Sequence, residues 1–122
     1  IKSFAETMTG NAFSPNFKSQ NPTEFKKYMK VKSQNKPDGL ARLMRSLSAP
    51  APPPNLSKVK CPVLLIVGEN DLHMGVEQGK QAHEAIAGSK LIILPTGHAA
   101  AIEMPDRFNS AVLDFLSNVR GE

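Results

Sequence analysis

Apolar residues recur with two different periods along the chain, and each period predicts a different kind of structure. In residues 1–48 the spacing is helical, with Phe4 and Met8 one turn apart ahead of Gly10, a residue that can end a helix. A longer stripe follows at positions i, i+3, i+4 and i+7, formed by Leu40, Leu43, Met44 and Leu47. This spacing is typical of an amphipathic helix whose apolar stripe needs a surface to pack against.

Another helix is indicated by the tetrapeptide Asn21-Pro22-Thr23-Glu24. The asparagine can cap a helix, the proline suits the first helical position, and the glutamate can reach back to close a capping box. The apolar residues that follow share one face of the helix: Phe25, Tyr28 and Met29. We therefore expect several short helices before residue 48.

A proline-rich run, Ala49-Pro50-Ala51-Pro52-Pro53-Pro54, separates the two parts of the chain. Proline lacks an amide hydrogen and has a fixed φ, so this run can continue neither a helix nor the interior of a sheet. The pattern therefore divides the chain into a helical segment at 1–48, a linker at 49–57 and a second structured part at 58–122.

The second part alternates apolar runs of strand length with helical patterns. The runs lie at 61–67 and 91–94, and helical patterns follow at 76–87 and after Pro105. Strand, helix, strand and helix with short connections predict an α/β fold containing a βαβα unit and a parallel sheet. Both strands are apolar throughout, so they need cover on both faces and neighbours at their edges. We expect the sheet to be completed by a part of the protein outside this chain, or by another copy of it.

Composition narrows the class of protein. The 122 residues, 40 % of them hydrophobic, are enough for one modest domain. The net charge of +4 is uneven, since residues 1–60 hold 11 Lys and Arg against 3 Asp and Glu, whereas residues 61–122 hold 4 against 8. The basic residues are spread through helical patterns and Trp is absent, so nucleic-acid binding is not expected. We expect a solvated helical face or a face that complements acidic surface outside this chain, and a positively lined substrate entrance is a further option.

Cysteine content and hydropathy bear on the compartment. Cys61 is the single cysteine and lies in an apolar run, which predicts a buried structural residue. No run approaches the roughly 20 apolar residues that span a bilayer. These features favour a cytoplasmic protein that does not enter a membrane.

Two polar residues follow the two predicted strands, Asp71 after the first and His98 after the second. In parallel sheets, catalytic groups gather at the carboxyl ends of strands, where a carboxylate can accept a hydrogen bond from a neighbouring imidazole and fix its tautomer. Two other interpretations stay open, since an Asp after a strand often only stabilises a turn and Glu69 is a second candidate acid.

The remaining candidate residues have simpler interpretations. His83 falls within a predicted helix and is expected at the surface, and Glu103 is expected to bond local backbone groups or the turn. The spacing of the three histidines and one cysteine is unlike that of known metal sites, so no metal is expected.

Two blocks of the second part resemble the α/β-hydrolase family. Residues 63–71, VLLIVGEND, resemble the strand and turn that deliver the catalytic acid, and residues 97–108, GHAAAIEMPDRF, resemble the segment of the catalytic histidine and last helix. The blocks stand in the family's order and at its separation. The resemblance implies that Asp71 is the acid and His98 the base of a catalytic triad. It also makes three residues after the acid candidates for lining the substrate pocket: Leu72, His73 and Met74.

The family carries its nucleophile upstream of the acid and histidine, on a G-x-S-x-G elbow that this sequence does not contain. The resemblance thus implies the C-terminal part of an α/β-hydrolase, with residues 1–48 as part of its helical cap. It further implies an esterase, lactonase or related acyl hydrolase that uses no cofactor, acts on a small-molecule substrate and is inactive without the missing half. The alternatives are a non-enzymatic α/β-hydrolase-like protein that binds a ligand or serves as a scaffold, and a binding module whose basic helices contact an acidic partner.

Overall fold

The computed structural model describes residues 10–120, so the helix predicted around Phe4 and Met8 lies outside the described residues. Six helices, one 3₁₀ turn and two strands follow one another in this part of the chain. They are α1 (Pro15–Gln20), α2 (Pro22–Ser33), α3 (Pro37–Leu47), a 3₁₀ turn (Leu56–Lys58), β1 (Leu64–Gly68), α4 (Val76–Ala85), β2 (Lys90–Leu94), α5 (Ala100–Glu103) and α6 (Pro105–Arg120). The predicted α/β class is confirmed.

The two strands pair in parallel, in a register that runs from Leu64 opposite Lys90 to Gly68 opposite Leu94. Because the carboxyl ends of paired parallel strands lie side by side, the turns after Gly68 and Leu94 are brought together. The predicted burial of the strands is only partly realised, since most of their residues are half-buried and Ile93 is exposed. The prediction for Cys61 is wrong. This residue is exposed because the strand begins only at Leu64, three residues after the start of the apolar run.

Helix α4 packs against β1 through Gly79, which is buried. A Cβ at this position would lie 2.5 Å from Val67 Cγ2, so only glycine allows the helix to approach the strand this closely. Glycine destabilises a helix relative to alanine, but at this position close packing requires it. At the far end of α4, His83 is exposed as predicted, and its Nδ1 lies 2.8 Å from Ser89 Oγ in the turn that leads to β2.

The helical segment has its own small core around Phe13, which is only 3 % exposed. The Phe13 ring stacks on Phe17 at 5.0 Å and meets Phe25 and Tyr28 edge-on. The capping box predicted for α2 does not form. Pro22 begins the helix, but the Asn21 side chain makes no capping hydrogen bond, and the glutamate predicted to complete the box instead pairs with Lys27 at 2.8 Å.

Several apolar faces remain uncovered in the described part of the chain. Helix α3 buries none of its residues, and Leu43 and Leu47 of its apolar stripe are exposed. Leu113 and Leu116 of α6 are exposed as well. From residue 10 to residue 120, none of the helices combines the length and hydropathy needed to cross a membrane.

Candidate active site

Asp71 and His98 meet at the carboxyl end of the sheet, as the positions of the two residues predict. His98 Nδ1 lies 2.8 Å from Asp71 Oδ2, although 27 residues separate them along the chain. The two turns are also held together by their backbones, since the Asn70 N–H donates to the Thr96 carbonyl at 2.8 Å and the Glu69 N–H donates to the Leu94 carbonyl at 2.7 Å. Asp71, and not Glu69, is therefore the acid that contacts the histidine.

The Asp71 carboxylate accepts three hydrogen bonds. Its Oδ1 accepts hydrogen bonds from the backbone N–H groups of His73 at 2.8 Å and Met74 at 3.0 Å, while Oδ2 accepts from His98. The turn-stabilising interpretation of Asp71 and its pairing with histidine thus hold together, because each uses a different oxygen. The side chain is 5 % exposed, so the surrounding turn fixes it in place.

The pKa of Asp71 is lowered from its ordinary value. Burial of the carboxyl raises the pKa, but the Met74 N–H, the His98 ring, the His73 N–H and the charge of protonated His98 favour the carboxylate and outweigh burial. Asp71 is consequently an anion at neutral pH and can only accept hydrogen bonds.

The ionisation of Asp71 determines which ring nitrogen of His98 carries the proton. An anionic acceptor at Nδ1 requires the proton to sit on that nitrogen, which leaves the lone pair of neutral His98 on Nε2. The His98 side chain is 52 % exposed, so its ring is accessible in the described structure. Such an imidazole can take a proton from a nucleophile and return it to a leaving group, with the carboxylate stabilising the imidazolium in between.

The three candidate pocket residues follow the acid directly, and all are exposed. Leu72 and Met74 present apolar side chains to solvent, at 76 % and 58 % exposure. The His73 ring lies against the His98 ring, with centroids 5.3 Å apart at an angle of 74°. Within residues 10–120, no three His, Cys, Asp or Glu side chains are grouped so as to hold a metal ion.

The sequence does not predict the contact between Glu103 and Ser14. Glu103 Oε1 accepts a hydrogen bond from the Gly97 N–H at 2.8 Å, as expected for a residue that bonds the turn, and another from the Ser14 N–H at 2.9 Å. Glu103 Oε2 accepts the Ser14 hydroxyl proton. Because Ser14 lies 89 residues from Glu103, no local spacing could have indicated this contact.

An open, largely polar cleft of about 390 Å³ lies beside this network. Its walls include Ser14, Asn70 and Glu103, but neither Asp71 nor His98 contributes to them. The cleft is thus separate from the acid–histidine pair, and we assign the candidate chemistry to the pair.

Comparisons with known proteins place this geometry in context. No protein-family model matches the chain. The chain is 31 % identical to 3-oxoadipate enol-lactonase 2 of Acinetobacter baylyi over 108 residues, which are 88 % of this chain and 40 % of that protein. It is 36 % identical over 86 residues to a 2-hydroxy-6-oxononadienedioate/2-hydroxy-6-oxononatrienedioate hydrolase of Escherichia coli, a match that covers 66 % of this chain and 30 % of that protein.

Solved structures agree with these likenesses. The enol-lactonase from Burkholderia xenovorans superposes with a TM-score of 0.88 at 27 % identity, covering 94 % of this chain and 44 % of that one. A thermophilic esterase from Thermogutta terrifontis has the same fold, with a TM-score of 0.86 at 24 % identity and coverage of 95 % and 43 %. The chain has an α/β-hydrolase fold, and its relatives are hydrolases. It spans less than half the length of each of these four proteins.

Proposed function

We propose that this chain is the C-terminal portion of an α/β-fold hydrolase that cleaves an ester, lactone or related acyl bond. In this proposal Asp71 and His98 are the acid and the base of a nucleophile–histidine–acid triad. The observation that carries the proposal is the 2.8 Å contact between His98 Nδ1 and the buried Asp71 carboxylate at the carboxyl end of a parallel sheet. The likeness to an enol-lactonase supports the acyl-hydrolase class.

The nucleophile is proposed to lie in a segment upstream of this chain. None of the 122 residues forms a G-x-S-x-G elbow, and the chain matches only part of each longer relative. The same segment would supply the oxyanion-hole donors and the missing strands beside β1 and β2. Residues 1–48 are proposed to belong to a helical cap over the site, because they are helical in the described part and precede the acid strand.

The proposed mechanism uses the described atoms of His98 and Asp71 and a nucleophile from the upstream segment. His98 Nε2 takes the proton of the nucleophile as it attacks the acyl carbon, and Asp71 stabilises the imidazolium that forms. His98 then donates this proton to the leaving group, and the same cycle with water releases the acid product. Leu72, His73 and Met74 are proposed to contact the substrate, since they are exposed and directly follow the acid.

The experiment compares two proteins, the chain alone and a protein in which the chain is joined to the nucleophile-bearing segment. Hydrolysis of a p-nitrophenyl ester and of a small lactone is measured for each. The chain alone is expected to be inactive and the longer protein active. D71N and H98A in the longer protein are expected to lower kcat by about 1,000- to 10,000-fold. H83A is the matched control, because His83 is an exposed histidine on α4 and contacts Ser89 instead of Asp71.

Two results would contradict the proposal. Full activity in H98A would exclude His98 as the base. The second result is a longer protein that binds lactones or esters but hydrolyses none of them, with the same affinity in H98A. Such a protein would be a non-enzymatic ligand-binding protein of the same fold.

A further inference from the structure

Hydrogen bonds connect the backbone on both sides of His98 to the helical segment, one of them through Glu103 and the other directly. On one side, the Gly97 N–H donates to Glu103 Oε1 at 2.8 Å. On the other side, the Ala99 N–H donates to the Ala12 carbonyl at 2.9 Å. The same Glu103 carboxylate accepts both the backbone N–H and the hydroxyl of Ser14. One carboxylate therefore joins the turn that carries His98 to the chain around Ser14.

Close packing reinforces these hydrogen bonds. A Cβ on Gly97 would lie 2.7 Å from backbone atoms of Phe13 and Ser14. A Cβ on Gly68, at the end of β1, would lie 2.1 Å from the Gly97 carbonyl oxygen. The His98 turn is thus held between the end of the acid strand and the Ser14 backbone, with glycine at both contacts because no other residue fits.

The partner surface is itself anchored. Phe13 precedes Ser14, is 3 % exposed and packs against three aromatic rings of α1 and α2. A displacement of Ser14 would therefore disturb a packed cluster, which makes it a firm support for Glu103.

We propose that Glu103 is a positioning residue, which holds the His98 turn through Gly97 and Ser14 so that the ring meets Asp71. Glu103 bonds neither His98 nor Asp71 directly, and it acts by fixing the backbone next to His98. The exposed His98 ring needs such support, since half of its surface has no packing of its own in the described structure. This inference deepens the proposed function and rests on it for the catalytic consequence, but its structural part is independent of turnover.

The test uses the protein that contains this chain and its nucleophile. The first readout is the low-field proton NMR resonance of His98 Nδ1–H bonded to Asp71, together with its exchange rate with water. The second readout is kcat and KM measured separately. E103A is expected to broaden or abolish the resonance and to lower kcat by about 10- to 100-fold while KM stays within about twofold, because misplacement of a catalytic group affects the chemical step.

Three variants serve as comparisons. E103Q keeps a carbonyl oxygen that can accept from the backbone N–H groups of Gly97 and Ser14, and its amide N–H can donate to Ser14 Oγ. It is therefore expected to retain the resonance and a kcat within about threefold of the parent. S14A removes only the hydroxyl bond and is expected to lower kcat by about three- to tenfold. E84A removes an exposed carboxylate from α4 and is expected to change neither readout.

The outcomes separate the inference from the proposed function. A folded E103A with a parental resonance and parental kcat would overturn the inference, as would equal defects in E103Q and E103A. If E103A does not fold, S14A decides, and a parental resonance and kcat in S14A would overturn it. A parent that hydrolyses nothing, but whose low-field resonance is lost in E103A and kept in E103Q, would contradict the proposed function and support the positioning role.

Discussion

At the scale of single residues, Asp71 combines two tasks that the sequence presents as alternatives. One oxygen stabilises its own turn by accepting the backbone N–H groups of His73 and Met74, and the other accepts from His98. The turn bonds fix the position of the carboxylate, and this leaves its second oxygen free to accept from the histidine. A residue that only capped a turn would leave its other oxygen to solvent, whereas this side chain is 5 % exposed.

The lowered pKa of Asp71 gives a prediction for stability against pH. A carboxyl whose folded pKa lies below its unfolded value of about 3.9 stabilises the fold above that value. This stabilisation is lost as the pH falls through the unfolded pKa and then the folded pKa. D71N is therefore expected to be less stable than the parent at pH 7, with a difference that shrinks below about pH 4.

Urea denaturation of the parent and D71N, measured at intervals from pH 7 to pH 2, checks this expectation. D114N is the matched control, since Asp114 is an exposed carboxylate of α6. A difference between D71N and the parent that stays constant over the whole range would show that ionised Asp71 does not stabilise the fold.

At the scale of elements, the sequence predicts the helices and strands that have a long apolar pattern of their own. β1, β2, α4 and α6 are found at the apolar runs and helical stripes that predict them, although β1 begins three residues later than its run. Helices α1 and α5 are missed because six and four residues are too few for a periodic pattern. The same distinction applies to the site. Asp71 and His98 follow from strand ends, whereas the contact between Glu103 and Ser14 depends on tertiary packing across 89 residues.

Replacement by alanine is expected to have opposite effects on stability at two helix glycines, Gly39 and Gly79. Gly39 in α3 has open space around its missing Cβ, so G39A is expected to stabilise the fold by about 1 kcal/mol through helix propensity. In G79A the same gain is opposed by a clash with Val67, 2.5 Å away, and we expect a net loss of about 1–2 kcal/mol.

The double variant G79A/V67A isolates this clash. Truncation of Val67 removes the atom that the new Cβ would strike, so G79A is expected to cost less in the V67A background than in the parent. Unfolding free energies of the four proteins in this cycle measure the coupling, and an equal cost of G79A in both backgrounds would show that Val67 does not limit the approach.

At the scale of the whole molecule, apolar surface of the described residues is left uncovered. Leu47 of α3, Leu116 of α6 and Ile93 of β2 are all exposed. Exposed apolar faces of this kind are typical of surfaces that pack against another part of a protein. A two-stranded sheet is also too small to be stable without packing against further elements. These features agree with the proposal that further strands and helices complete the fold.

If further elements complete the fold, a lysine at position 116 should lower the unfolding free energy more than a lysine at position 31. Val31 is 65 % exposed on α2, a helix without buried residues, whereas Leu116 is 46 % exposed on the helix that follows the sheet. In the longer protein, L116K is expected to lower the unfolding free energy by about 2–4 kcal/mol because it places an amine in a packed interface. V31K is expected to change it by less than about 0.5 kcal/mol.

In the chain alone, both substitutions should have small effects on unfolding. L116K should also reduce any self-association measured by sedimentation, because it interrupts an uncovered apolar face. A near-zero effect of L116K in the longer protein would mean that this face of α6 stays in solvent and that the added segment completes the sheet elsewhere.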